Sequence, residues 1–250
     1  PRWIVPNDDA TGYYRSAVDP ALLDTRAAKL SGAEQRMVLA DLTAMVRRDE
    51  LPVDRVIARG VALSGDPDPL VALSAFVAAQ FRTDAFGDPF YDAAIRWRRA
   101  TFGKLARALG WHRAPGDSDE REQLREEVLE TTGGDDPALV QAAARVADDW
   151  LAHRPKIDVG LVSAALAVSM KTGDAARFDR YVAAAKTASA AEREAIIRAL
   201  GNVRTPELAR RALGLLLGTE LDVRDTWSIA VITAAHRETR DVALAFLRAR

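Results

Sequence analysis

The sequence predicts an all-α fold, and three observations carry that prediction. Apolar residues recur at helical spacing through most of the 250 residues. Helix start and stop residues punctuate the text at helix-length intervals. Only 6% of the residues are aromatic, and alanine-rich, strand-poor text favours close-packed helices.

Residues 192–218, EREAIIRALGNVRTPELARRALGLLLG, give the pattern that the rest of the chain repeats. Ile196, Ile197 and Leu200 fall on one helical face, with Glu194 and Arg198 turned away. Gly201 and Asn202 are expected to stop this helix by adopting positive φ. Thr205 is a good N-cap, and Pro206 suits a first turn, where no N–H is needed. In the second helix Leu208, Ala212, Leu215 and Leu216 form the apolar stripe. Glu207, Arg210, Arg211 and Gly214 form its other side. Neither helix can bury its stripe alone, so the pair must stack on neighbours. The expected architecture is an α-solenoid of antiparallel helix pairs, HEAT/armadillo-like.

Taken in order, residues 1–19 differ from the rest. Trp3-Ile4-Val5 is β-prone, residues 6–12 are turn chemistry, and Tyr13-Tyr14-Arg15 is β-prone again, so a hairpin or strand pair is expected. Asp19-Pro20 caps a helix to about Lys29. Ser31-Gly32-Ala33-Glu34 is a capping box. Pro52 opens a helix to about Leu63, and the apolar run from Leu70 to Phe81 is another. A helix from Pro89 ends at Leu109, before Gly110. Residues 111–118 read as an irregular loop, closed by a second capping box of Asp117 with Glu120. Gly133-Gly134 breaks the chain and Asp136-Pro137 restarts it. Further helices are expected near residues 158–171, 174–186, 190–200, 206–217, 222–235 and from Thr239 onward. The chain opens at Pro1 and shows no stop signal at Arg250, so it reads as a piece of a longer protein.

Composition narrows the function classes. The formal net charge of -1 argues against a general electrostatic grip on nucleic acid. There is no cysteine, which excludes thiolate catalysis and cysteine-ligated zinc. The longest apolar run, Val159 to Met170, is too short to span a bilayer and contains two serines.

Candidate chemistry is sparse. His112, His153 and His236 contain no i,i+4 pair, and no H-E-x-x-H motif occurs. There is no G-x-S-x-G nucleophile elbow. Asp135 and Asp136 stand where Gly133-Gly134 would otherwise present a phosphate-binding helix start. The acidic pairs Asp8-Asp9 and Asp148-Asp149 read as solvated surface. Arg96-Trp97-Arg98-Arg99 is the densest basic cluster, able to hold a carboxylate or phosphate through bidentate contacts. Such a run also reads as one buried tryptophan flanked by a charged face; if a helical concavity holds a peptide, Arg96, Arg98 and Arg99 are the candidate peptide-contacting residues.

Several stretches together resemble one family. WIVPN followed by GYYR resembles the junction where the β-sandwich of aminopeptidase N-type zinc peptidases passes into their C-terminal helical domain. SGAEQRMVLADLTAMVRRDELPVDRVIA resembles the early helices of that domain, as in endoplasmic-reticulum aminopeptidases. LGWHRAPGDSDEREQLREEVL, GDAARFDRY, AEREAIIRALG and ALAFLR follow in the family's order. The resemblance implies residues 1–19 as a junction, with Gly12, Tyr13, Tyr14 and Arg15 at it, and residues 20–250 as a helical-repeat domain truncated at its end. It implies a domain that covers the active site of an upstream catalytic domain and shapes a peptide chamber. Zinc would belong to the parent protein and no cofactor to this piece, because neither the zinc motif nor the G-x-M-E-N motif occurs here. The expected partners are that catalytic domain and a peptide substrate, with no nucleic acid and no membrane span. The alternative is an independent helical scaffold that binds a protein or peptide.

Overall fold

The computed structural model describes residues 7–12, 14–17, 30–80, 88–155, 157–219 and 221–249. Twelve α-helices occur among them: α1 Gly32–Arg47, α2 Val53–Leu63, α3 Pro69–Ala78, α4 Asp88–Leu109, α5 Asp119–Thr132, α6 Pro137–His153, α7 Val159–Met170, α8 Ala175–Thr187, α9 Ala190–Leu200, α10 Pro206–Gly214, α11 Val223–Ala235 and α12 Arg240–Arg248. No strand occurs among the described residues. None of the described helices is long and apolar enough to cross a membrane.

The expected N-terminal hairpin is not seen. Trp3-Ile4-Val5, Tyr13 and the helix expected from Asp19 to Lys29 lie outside the described residues. The turn between the expected strands is present, but a side chain closes it. Asn7 Nδ2 donates to Gly12 O at 2.8 Å, and Gly12 N–H donates back to Asn7 Oδ1 at 2.6 Å. That exchange takes the place of a backbone ladder pair, and Asp8–Ala10 winds into a 3₁₀ turn inside it.

Caps account for the helix starts. Ser31 and Glu34 form the expected capping box, Glu34 N–H donating to Ser31 Oγ and Ser31 N–H to Glu34 Oε2. Asp68, Asp136, Asp158, Asp174, Thr205 and Asp222 each accept a backbone N–H from the first turn that follows. The box expected at Asp117 and Glu120 is shifted by one residue. Ser118 accepts the Arg121 N–H, while Asp117 pairs with the Arg121 guanidinium at 3.0 Å. A serine hydroxyl adjacent to the first helical residue reaches the N3 amide, and a carboxylate one residue earlier does not.

The chain divides into two compact units, residues 1–82 with 116–124, and residues 83–115 with 125–250. In the first unit, α1, α2 and α3 pack pairwise around Leu30, Val38, Leu42, Leu51 and Val56. Gly60 lets α2 approach α3, since a Cβ there would lie 2.5 Å from the Ala75 carbonyl oxygen. In the second unit, α7 contacts α6 and α9, and further packing joins α8 to α9, α9 to α11, and α12 to both α10 and α11. Its core holds Leu166, Met170, Phe178, Tyr181, Ile196, Ile197 and Leu200. Fully burying one such side chain is worth about 1.5–3 kcal/mol before the ordering entropy is subtracted.

The α9–α10 pair has the predicted faces. Ile196, Ile197, Leu200, Leu208, Ala212 and Leu216 are buried, and Glu207, Arg210, Arg211 and Gly214 are exposed. The stop is different from expectation. Gly201 has φ -72°, in the right-handed region. Its missing side chain serves close approach instead, because a Cβ would stand 2.9 Å from Ile232 Cβ.

Gly201→Ala is therefore expected to cost about 1–3 kcal/mol through overpacking against α11. Gly214→Ala, with nothing within 4 Å of its would-be Cβ, should stabilise by about 0.5–1 kcal/mol. Urea unfolding of the two variants checks this, and shifts of the same sign would reject the packing role of Gly201.

Candidate anion-binding site

In the second unit, helix ends converge on one side of α4. Tyr91, Ile95 and Arg98 recur at helical spacing on α4, with Asp92 and Arg96 beside them. The 3₁₀ turn Gly133–Asp135 adds Gly134 and Asp135. The turn after α7 adds Lys171 and Thr172, the α9–α10 turn adds Arg204, and the α11–α12 connection adds His236 and Glu238. Together they line a recess of about 720 Å³. Side chains on short turns between rigid helices are well placed to hold a ligand.

The acidic groups of this recess already have partners. Arg98 grips Asp135 bidentately, at 2.6 Å from Nε and 3.0 Å from Nη2. Arg237 pairs with Asp92 at 3.1 Å and Glu238 at 3.6 Å while lying 4.3 Å above the Tyr91 ring. The cations are in excess. Arg96, Lys171 and Arg204 line the recess, and no ion pair joins any of them to a described residue. Arg204 Nη1 is buried without a hydrogen-bond partner among the described residues.

Lys171 is the most perturbed of the three. Its side chain lies across Gly134, whose would-be Cβ would stand 2.6 Å from both Cδ and Nζ. Burial pushes the Lys171 ammonium down to about 8, and the Arg204 and Arg98 charges add to that against the opposing pull of Asp135. Burial likewise lowers Arg204, with Glu238, Tyr91 and Asp135 opposing. The protonated lysine thus sits in a place that disfavours its charge. An incoming anion would relieve both cations at once.

The sequence-predicted cluster is split. Arg96 is exposed and lines the recess, while Arg98 lines it but is committed to Asp135. Arg99 is exposed and not part of the lining; its charge acts on Asp136, which Arg107 holds at 2.7 Å and keeps below the usual carboxylate range. Lys171 and Arg204 escaped sequence reasoning. The available signal was compositional, since the chain has five lysines against thirty arginines and one of them closes its most apolar run.

Of the residues expected at a domain junction, Gly12, Tyr14 and Arg15 lie in the first unit. They line a separate recess of about 620 Å³ with Asn7, Arg36 and Met37. Arg15 stands 3.6 Å from the buried Asp41, which also accepts the Ser16 N–H at 3.1 Å. Tyr13 lies outside the described residues. Among the described residues no group of three or more His, Asp or Glu side chains is placed to hold a metal ion. His153 pairs with Asp149 at 2.9 Å on the surface, and His236 stands 3.3 Å from Asn202 Oδ1.

At the opposite end of α7 the Glu126 carboxyl group sits directly over Gly160, where a Cβ would overlap it. The Asp158 carboxylate, which accepts the Gly160 N–H at 2.8 Å, is its acidic neighbour. Burial first, then the hydrogen bond with Asp158 and the charges of Asp158 and Glu130, push Glu126 up to about 7. Asp158 moves the other way, held down by the Glu126 bond, by the Gly160 and Leu161 amides and by Arg113.

A family model, the ERAP1-like C-terminal domain, matches residues 3–250. The chain belongs to that family. The recess on α4 and the carboxyl pair on α7 are thus features of an ERAP1-like domain.

Arg98→Ala leaves Asp135 without its partner and is expected to cost about 2–4 kcal/mol. Arg96→Ala should change stability by less than about 0.5 kcal/mol in the same urea titration. The Glu126 carboxyl has a folded value above its ordinary 4.5, so the native state holds the proton longer than the unfolded chain does. Stability should therefore fall as pH rises from about 4.5 to about 7 and then level off. Glu126→Gln keeps a donor for Asp158 and should flatten that part of the stability–pH curve; an unchanged slope would reject the assignment.

Proposed function

We propose that this ERAP1-like domain is the non-catalytic C-terminal helical domain of a zinc-dependent aminopeptidase that removes N-terminal residues from peptides. In this reading residues 1–19 are the junction from an upstream β-sandwich, and residues 20–250 form an α-solenoid of helix pairs. The domain covers the active site of the catalytic domain and shapes the peptide chamber, gating access and release. The zinc and its ligands belong to the catalytic domain, where a metal-bound water supplies the hydrolytic nucleophile.

The observation that carries the peptide part of this reading is the uncompensated charge on Lys171, Arg204 and Arg96 in one recess of a chain in this family. A peptide carboxylate is the anion this chemistry suits. It can accept from a guanidinium and an ammonium together, which a hydrated chloride does poorly. A second reading, an independent scaffold that binds a protein, is favoured by the exposed apolar row Val223, Trp227 and Val231 at i, i+4 and i+8 on α11.

The isolated chain should not hydrolyse an aminoacyl reporter substrate, with or without added zinc; chelator-sensitive turnover would sink the non-catalytic reading. A dye-labelled peptide with free carboxylates should bind weakly and lose affinity as salt rises. Amidation of its carboxylates, or Lys171→Ala, should weaken binding by about tenfold. Equal affinity for the free and amidated peptides would remove the recess from the proposal.

A further inference from the structure

The recess holds an amine as well as a positive field. Lysine becomes a nucleophile when desolvation and neighbouring cations hold it partly neutral, and Lys171, half-buried where α7 ends, shares its recess with Arg204, Arg98 and Arg96. No carboxylate of a described residue ion-pairs with its Nζ to keep it protonated. The absence of a side chain at Gly134 leaves the amine lying on bare backbone. Arg204, whose Nη1 has no hydrogen-bond partner among the described residues, and the exposed Arg96 line the same recess.

We propose that Lys171 is a covalent capture site for small aldehydes that carry an anionic group, with the anion resting against Arg204 and Arg96. The neutral amine adds its lone pair to the carbonyl carbon, forming a C–N bond. The carbonyl oxygen then leaves as water with the two amine protons, and an imine remains. No oxidant or reductant takes part, and water reverses the step. The guanidinium groups bind the anion and also hold the amine back from protonation, so recognition and reactivity share one cause. This property stands apart from peptide binding, although both use the same recess.

The test is competitive labelling of the full 250-residue chain at about pH 7.4 with pyridoxal 5′-phosphate, borohydride trapping and peptide mapping. Lys171 should be modified at least about tenfold faster than the exposed Lys104 and Lys186. Pyridoxal, which lacks the phosphate, should lose most of that preference. Lys171→Arg should abolish the fast site and leave slow labelling elsewhere unchanged. Labelling of Lys171 no faster than the surface lysines, or a preference equal for both aldehydes, would overturn the proposal. The peptide titration is read separately. Selective labelling without peptide binding removes only the peptide reading, and peptide binding without selective labelling removes only this one.

Discussion

Helix α7 has no polar face, and the larger unit is arranged around that fact. Nine of its twelve residues, Leu161, Val162 and Ala164 through Met170, are buried. A helix apolar all round must be enclosed on every side. The enclosure comes from α6 and α9, with the 3₁₀ turn Gly133–Asp135 at one end. The one hydroxyl deep within it, Ser169, is satisfied by the Leu166 carbonyl at 2.9 Å and the Tyr181 hydroxyl at 2.7 Å. Burial pushes the Tyr181 phenol up to about 12, against the lowering effect of that bond.

The perturbed groups at the two ends of α7 follow from the same enclosure. A buried helix must still end, and its ends emerge where water is scarce. At the N-terminus the free amides of Gly160 and Leu161 favour a carboxylate, and two carboxyl groups compete for them. Like charges disfavour each other's ionisation, so Asp158 is held below the usual carboxylate range while Glu126 is pushed up to about 7. At the C-terminus the helix dipole favours a cation, yet desolvation and the arginines outweigh it at Lys171. One end of α7 thus raises a carboxyl group and the other lowers an ammonium.

The paired ions mark what is built and the unpaired ones mark what is available. Arg98–Asp135 and Arg107–Asp136 fasten α4 to the turn before α6 through side chains that are largely shielded at the carboxylate. Such pairs fix register, even where their net contribution to stability is small. Surface pairs such as Arg224–Asp222 or His153–Asp149 are worth little by comparison. The recess is defined by subtraction: once Arg98 and Arg237 have taken the carboxylates, Lys171, Arg204 and Arg96 remain.

The sequence by itself determined the helices, most of their caps and the buried faces, because spacing and capping chemistry are local. Ser31 with Glu34, Asp136 with Pro137 and Thr205 with Pro206 could be read directly, and Ile196, Ile197 and Leu200 lie on the face that the periodicity assigned. The motif order also carried the family. Tertiary structure decided the rest. Gly201 read as a helix stop, and the helix does end before it, but with φ -72° rather than a positive φ, and its missing side chain makes room for Ile232. Arg96-Trp97-Arg98-Arg99 read as one basic cluster, but helical geometry sends Arg98 to Asp135 and leaves Arg99 outside the recess. Lys171 and Arg204 are 33 residues apart in the chain and meet only because α7 and the α9–α10 turn end at the same place. A charge becomes reactive through what surrounds it, and in this chain those surroundings come from five separate segments.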